Sequence, residues 1–157
     1  MDARGKIINY LERGNWAVTT GDATLAYAGW QESSRTWTPF LSNAVRSIAY
    51  NRAERVVVIY DWATSAKNRR WELNFNGLEA FTASGTSAKV SNTTASACID
   101  VYGANGNFST SQGFVVQPEK KLPTQYQARF QANSPTPALV AVTVIREDCR
   151  NVPSVST

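Results

Sequence analysis

The side chains able to do chemistry in this chain are carboxylates and arginines, because it contains no histidine. That excludes a Ser-His-Asp triad, a Cys-His dyad and any histidine-held metal. The carboxylates Asp22, Glu32, Asp61, Glu72, Glu79, Asp100, Glu119, Glu147 and Asp148 are scattered. One pair stands out, since a hairpin across residues 54–81 would set Asp61 opposite Glu72. Two carboxylates on a β-scaffold can hydrolyse a glycoside, one as the acid and the other as base or nucleophile. Surface pairing with Arg55, Arg69 or Arg70 is the simpler reading. No glycine-rich phosphate loop, nucleophile elbow or metal-ligand spacing accompanies the pair. The expectation is a non-enzymatic protein without cofactor or metal.

Positive charge is densest at Arg46, Arg52, Arg55, Lys67, Arg69 and Arg70. The chain carries 16 Lys and Arg against 12 Asp and Glu, a net charge of +4, and arginine dominates. Guanidinium forks suit phosphate, carboxylate and protein interfaces. These six are the candidate polyanion or interface contacts, and a solvated face is the plainer alternative. There is no RNA-recognition signature and no long basic arm. Aromatic residues crowd the stretch from Trp16 to Phe40. In a small β-domain most of them would be core. The alternative is that Trp16, Tyr27, Trp30 and Trp37 face a sugar or a membrane surface, which suits aromatic rings. Cys98 and Cys149 are the two cysteines. They could form one disulfide or stay as two buried thiols.

The elements that must position these residues read as strands. Val56–Ile59 is a β-branched run with no polar side, expected to be buried on both faces. Trp71, Leu73 and Phe75 alternate with polar neighbours, which predicts a half-buried strand. Asn76-Gly77 then predicts a type I′ turn into a third strand, Leu78–Phe81. Residues 54–81 are thus expected to form a three-stranded meander. Ala138–Ile145 is a second strand expected to be buried on both faces. Further strands are expected over Trp16–Thr20, Thr24–Trp30, Arg35–Phe40, Cys98–Tyr102, Phe108–Val116 and Gln125–Gln131. Residues 41–52 fit either a short helix or an edge strand, and 83–97 a loop or a weak strand. At the start, Asp2 as cap, the stripe Ala3, Ile7, Tyr10, Leu11 and the stop at Gly14 predict a short helix.

The fold class is therefore mainly β: an antiparallel β-sandwich or jelly roll of about eight to ten short strands with a short N-terminal helix. One domain would span 1–157, with 1–14 as a helical arm and 147–157 as an irregular tail. The charged share of 18% is low for a globular chain. A polar, weakly charged surface without a catalytic set points to work by surface contact. The first expectation is a self-assembling structural protein, a coat, shell or tube subunit of capsid or virion type. Its partners would be copies of itself, with nucleic acid touched through the arginine cluster. The alternative is a glycan- or membrane-binding module of lectin or small pore-forming toxin type. The first residues lack the apolar core of a signal peptide, and no run approaches the roughly 20 apolar residues of a membrane span. The expected place of synthesis is the cytoplasm, with the product ending in a particle under the assembly reading.

Overall fold

The computed structural model describes residues 5–114, 118–120 and 122–149. Within them all strand pairing is antiparallel, and one turn of 3-10 helix, Thr24–Ala26, is the single helical element. The strands are β1 (Lys6–Arg13), β2 (Trp16–Asp22), β3 (Ala28–Gln31), β4 (Thr36–Pro39), β5 (Asn43–Asn51), β6 (Val56–Arg69), β7 (Glu72–Gly77), β8 (Phe81–Ser84), β9 (Ser87–Ser91), β10 (Ser96–Tyr102), β11 (Gly106–Gln112), β12 (Tyr126–Ala132) and β13 (Thr136–Glu147). Eight form one sheet in the order β1-β2-β5-β6-β13-β10-β9-β8, three form a second, β11-β12-β7, and β3 with β4 makes a separate hairpin.

The two apolar strands, β6 and β13, lie side by side in the middle of the large sheet. Their alternate residues Ala63, Leu139 and Ala141, joined by Val101 of β10, pack against Trp71, Leu73 and Phe130 of the small-sheet side. A second cluster joins Phe81, Ala88 and Ile99 of the large sheet to Ala128 of β12. The rings of Phe75, Phe108 and Phe130 meet edge-on or tilted, with neighbouring centroids 5.8 and 5.5 Å apart. Gly106 permits the close approach of β11 to β12: a Cβ there would lie 2.4 Å from the Gln131 carbonyl oxygen. The small sheet covers only part of the inner face of the large one. Beyond it, the inner face of β5 and the adjoining part of β6 stay open.

Several sequence expectations are corrected. The N-terminal helix is strand β1, paired with β2 from Lys6↔Asp22 to Arg13↔Trp16. Gly14, at φ +58°, closes the turn of that hairpin instead of capping a helix. Ile7 and Ile8 are β-branched, and a neighbouring strand outweighs a narrow helical stripe; Asp2 and Ala3 lie outside the described residues. The meander over 54–81 does not form. β6 runs unbroken for 14 residues, through the stretch read as a turn, because Ala63 and Ser65 continue its buried face. β7 pairs with β12, and β8 with β9 at the far edge of the other sheet. Asn76-Gly77 is the end of β7 and pairs with Gln127 and Tyr126; the positive-φ glycine of this region is Gly85, between β8 and β9. Residues 41–52 form an interior strand, neither helix nor edge. The double-sided burial of Ala138–Ile145 fails, since Val140 is 46% exposed, while Val56 is buried and Val57, Val58 and Ile59 are half-buried. Cys98 and Cys149 are joined by a disulfide. The end of the Phe108–Val116 strand and the tail beyond Cys149 fall outside the described residues.

Candidate ligand-binding cleft

The open part of the inner face forms a cleft of about 390 Å³. Its floor is β5 and β6. The register sets Arg46 opposite Asp61 on the same face. Arg46 donates from Nε to Asp61 Oδ1 at 2.7 Å and from Nη2 to Oδ2 at 3.1 Å. Asp61 is buried while Arg46 keeps about half of its side chain in solvent. The bonds from the guanidinium to Asp61 raise the Arg46 pKa further above its ordinary value, against the opposing effect of burial. A two-point fork fixes the plane of the guanidinium and leaves its outer edge facing the cleft.

One wall is aromatic, and its placement is built from backbone bonds. The Asp22 carboxylate accepts from the Thr24 amide at 2.9 Å, and Thr24 Oγ1 accepts from the Ala44 amide at 2.9 Å. These bonds pin the 3-10 turn to β5 and bring Tyr27 to the rim. Hydrogen bonds from Thr24, led by its hydroxyl, hold the Asp22 carboxyl below the usual carboxylate range. Phe40 closes the β3–β4 hairpin at its base: its amide donates to the Tyr27 carbonyl at 2.7 Å. Its own carbonyl accepts from Ser65 Oγ at 3.1 Å and Arg69 Nη2 at 3.3 Å. The Arg69 guanidinium lies 5.7 Å from the Phe40 ring centroid, on the cation–π attraction. The tip of the ring lies against Gly29, where a Cβ would come within 2.2 Å of its Cζ. Arg69 therefore serves as a clasp that ties the hairpin to β6. Ser65, buried beneath it, also accepts from Arg69 Nε at 3.2 Å.

The opposite wall is the start of β7. Trp71 is buried and donates from Nε1 to the Thr136 carbonyl at 3.0 Å. Arg70 is exposed at the cleft lip and has no ion-pair partner among the described residues. Glu72 also borders the cleft. It is engaged from β12, by Gln131 Nε2 at 2.6 Å and Arg129 Nε at 3.6 Å. Asp61 and Glu72 both border the cleft but do not face each other across a hairpin: they stand in different sheets, each with its own cation. Each carboxylate is thus engaged by a cation of its own strand neighbour, Asp61 by Arg46 and Glu72 by Arg129.

Of the six basic candidates the structure brings Arg46, Arg69 and Arg70 to the cleft. Lys67 lies in β6 near Arg69, exposed. Arg52 and Arg55 stand at the other end of β6, about 40 Å along the strand from Arg69. They are paired there with Glu12 and Glu147. Of the four aromatic candidates Tyr27 alone lines the cleft. Trp30 and Trp37 face each other across the hairpin, ring centroids 6.2 Å apart, and are 48% and 41% exposed. Trp16 starts β2 and pairs with Asn51, away from the cleft. Phe40, Ser65 and Gly29 are site residues that sequence patterning missed. Ser65 carries no signal of its own, whereas Gly29, between aromatics, is a sign of close ring approach. No group of three or more His, Cys, Asp or Glu that could hold a metal occurs among the described residues. No helix of those residues is long and apolar enough to cross a membrane.

No protein-family model matches the chain, and no curated protein matches it. Solved structures do. A heparinase III aligns with a TM-score of 0.66 at 12% identity, over 91% of this chain and 21% of that one. A mutant of the heparan sulfate lyase HepC from Pedobacter heparinus aligns with a TM-score of 0.69 at 12% identity, over 96% of this chain and 23% of that one. The chain spans about a fifth of the length of these proteins. At this identity the likeness is one of fold: a β-domain of this design recurs as a portion of polysaccharide lyases.

Proposed function

We propose that the chain is a non-catalytic glycan-binding β-sandwich module whose cleft takes a segment of an acidic polysaccharide. The observation that carries this reading is the meeting, in one recess, of exposed aromatic rings and oriented arginines. Tyr27 offers a face for a sugar ring with the exposed part of Phe40 beside it, Arg46 is aimed by Asp61, and Arg70 stands at the lip without an ion-pair partner among the described residues. The recess has the size of an ordinary ligand site and the usual mixture of apolar wall and few polar groups. Support also comes from the fold neighbours, which are named for heparin and heparan sulfate, a polyanionic polysaccharide. Among the two roles the sequence allowed for its aromatics, this one uses Tyr27.

The test is titration of the purified chain with heparan sulfate oligosaccharides and, in parallel, uncharged oligosaccharides, across a salt series. The expected result is binding of the acidic ligand only, weakened by salt because the contacts are partly exposed. Arg70→Ala and Tyr27→Ala should each weaken it about tenfold, the equivalent of about 1.4 kcal/mol. Equal binding of both ligand classes, or full affinity in both variants, would sink the proposal.

A second reading, the self-assembling structural subunit, is favoured by a different observation: a broad apolar face that the domain leaves open. It loses support from the arginines, since Arg46, Arg52 and Arg55 are occupied by carboxylates.

A further inference from the structure

The outer face of the large sheet is the least explained surface of the molecule. The register places Trp62 between Val45 and Val140, and in the next row Tyr60 between Ser47 and Val142, with Tyr102 beyond. These side chains point away from the small sheet, and Tyr102 is 55% exposed. On β5, β6, β13 and β10 the outward-facing charges are Asp100 and Arg146, and they bond to each other. Sequence and structure disagree here in an informative way. β6 and β13 are apolar on both faces, the pattern of strands covered on both sides, yet one side is bare.

We propose that this face docks a second copy of the chain, sheet against sheet, in a two-fold dimer. The composition is that of an interface centre, rich in Trp and Tyr and depleted of charge. A polyanion or an anionic lipid surface would require the cations that the face lacks. Its extent fits a small interface. Four strands span about 19 Å, and six residues along them about 20 Å, a plane of about 400 Å². Side-chain relief adds to that, which places the pair at the low end of interface sizes, below the roughly 800 Å² per partner of a standard one. Two copies of one twisted sheet share the same hand, so they can stack aligned at about −30°, as the layers of a sandwich do. Two-fold pairing is also the commonest way for a chain to bury such a patch. Val45 and Trp62 also border the cleft, whereas Tyr60 and Tyr102 do not, so protection of Tyr60 and Tyr102 tests the dimer independently of glycan binding.

The experiment is sedimentation and light scattering of the full chain over a concentration series, with hydroxyl-radical footprinting of the same samples. Twice the monomer mass is expected, with Tyr60, Trp62 and Tyr102 protected at high concentration and released on dilution. Trp30 and Trp37, on the hairpin, should react equally throughout. Trp62→Glu with Val140→Glu should raise the dimer Kd at least a hundredfold with unchanged circular dichroism. Should that variant misfold, the wild-type footprint decides alone. A monomer at all concentrations, or a dimer that leaves these three residues unprotected, overturns the proposal.

Discussion

At the scale of single residues, the site depends on pairs in which one member aims the other. Asp61 is buried so that Arg46 can be held charged and oriented at the cleft floor. Ser65 and the Phe40 carbonyl do the same for Arg69, which therefore acts as a clasp first and as a cation second. One buried group is not matched in this way. Thr143 lies in the core on β13, 1% exposed, and its hydroxyl has no hydrogen-bond partner among the described residues. An unsatisfied buried hydroxyl costs about 1–3 kcal/mol. Thr143→Val keeps the shape and removes the hydroxyl, so it should raise stability by about 1 kcal/mol in denaturant unfolding. A loss of stability would mean that the hydroxyl has a partner.

At the scale of elements, the β3–β4 hairpin is the part that turns a sheet face into a cleft. It has no backbone pairing with either larger sheet and is held at its base by Phe40, which meets Gly29 at its ring tip and Arg69 over its ring. Gly29→Ala would drive a Cβ into the Phe40 ring, and overpacking of this kind costs about 1–3 kcal/mol. The expected outcome is a lower melting temperature, together with weaker glycan binding, because the displaced ring belongs to the cleft wall. Unchanged melting would show that the ring can shift at no cost. β1 is an element managed differently. It is an edge strand with exposed Ile7, Ile8 and Leu11, but a register shift between Ile7 and Asn9 and the charges of Lys6, Glu12 and Arg13 blunt it. Bulges and charges are the usual protection of an edge against pairing.

At the scale of the whole molecule, the disulfide ties β10 to the chain just after β13, closing 51 residues. Asp148 and Cys149 both take left-handed backbone conformations there, at φ +53° and +55°. Loop-closure entropy for that length amounts to about 4 kcal/mol as an upper figure. The enclosed strands already pair through β10 and β13. Reduction, or Cys98→Ser with Cys149→Ser, should therefore lower stability by about 2–4 kcal/mol while the strand content by circular dichroism persists below the melting transition. No change on reduction would mean the thiols are not joined in solution.

The sequence by itself determined the class of this protein. Its β-branched runs, period-two alternation and turn residues specify antiparallel strands wherever the pattern is local, as in β2, β4, β10 and β13. It also excluded histidine chemistry outright, since composition needs no fold. Partner choice was decided only by tertiary structure. Residues 6–13 have a stripe that suits a helix and side chains that suit a strand, and the neighbour β2 decided between them. Asn76-Gly77 has hairpin chemistry, but Leu73 is buried and Phe75 half-buried in the core beside β12, so β7 and β8 went to different sheets. The cleft was hidden for the same reason. Arg46 and Asp61 stand 15 residues apart, and Phe40 and Arg69 29 apart. Only the register of β5 on β6 and the return of the hairpin set them in one recess. Local preference is carried by single side chains and neighbours in sequence; which strands meet depends on buried area summed over the whole chain.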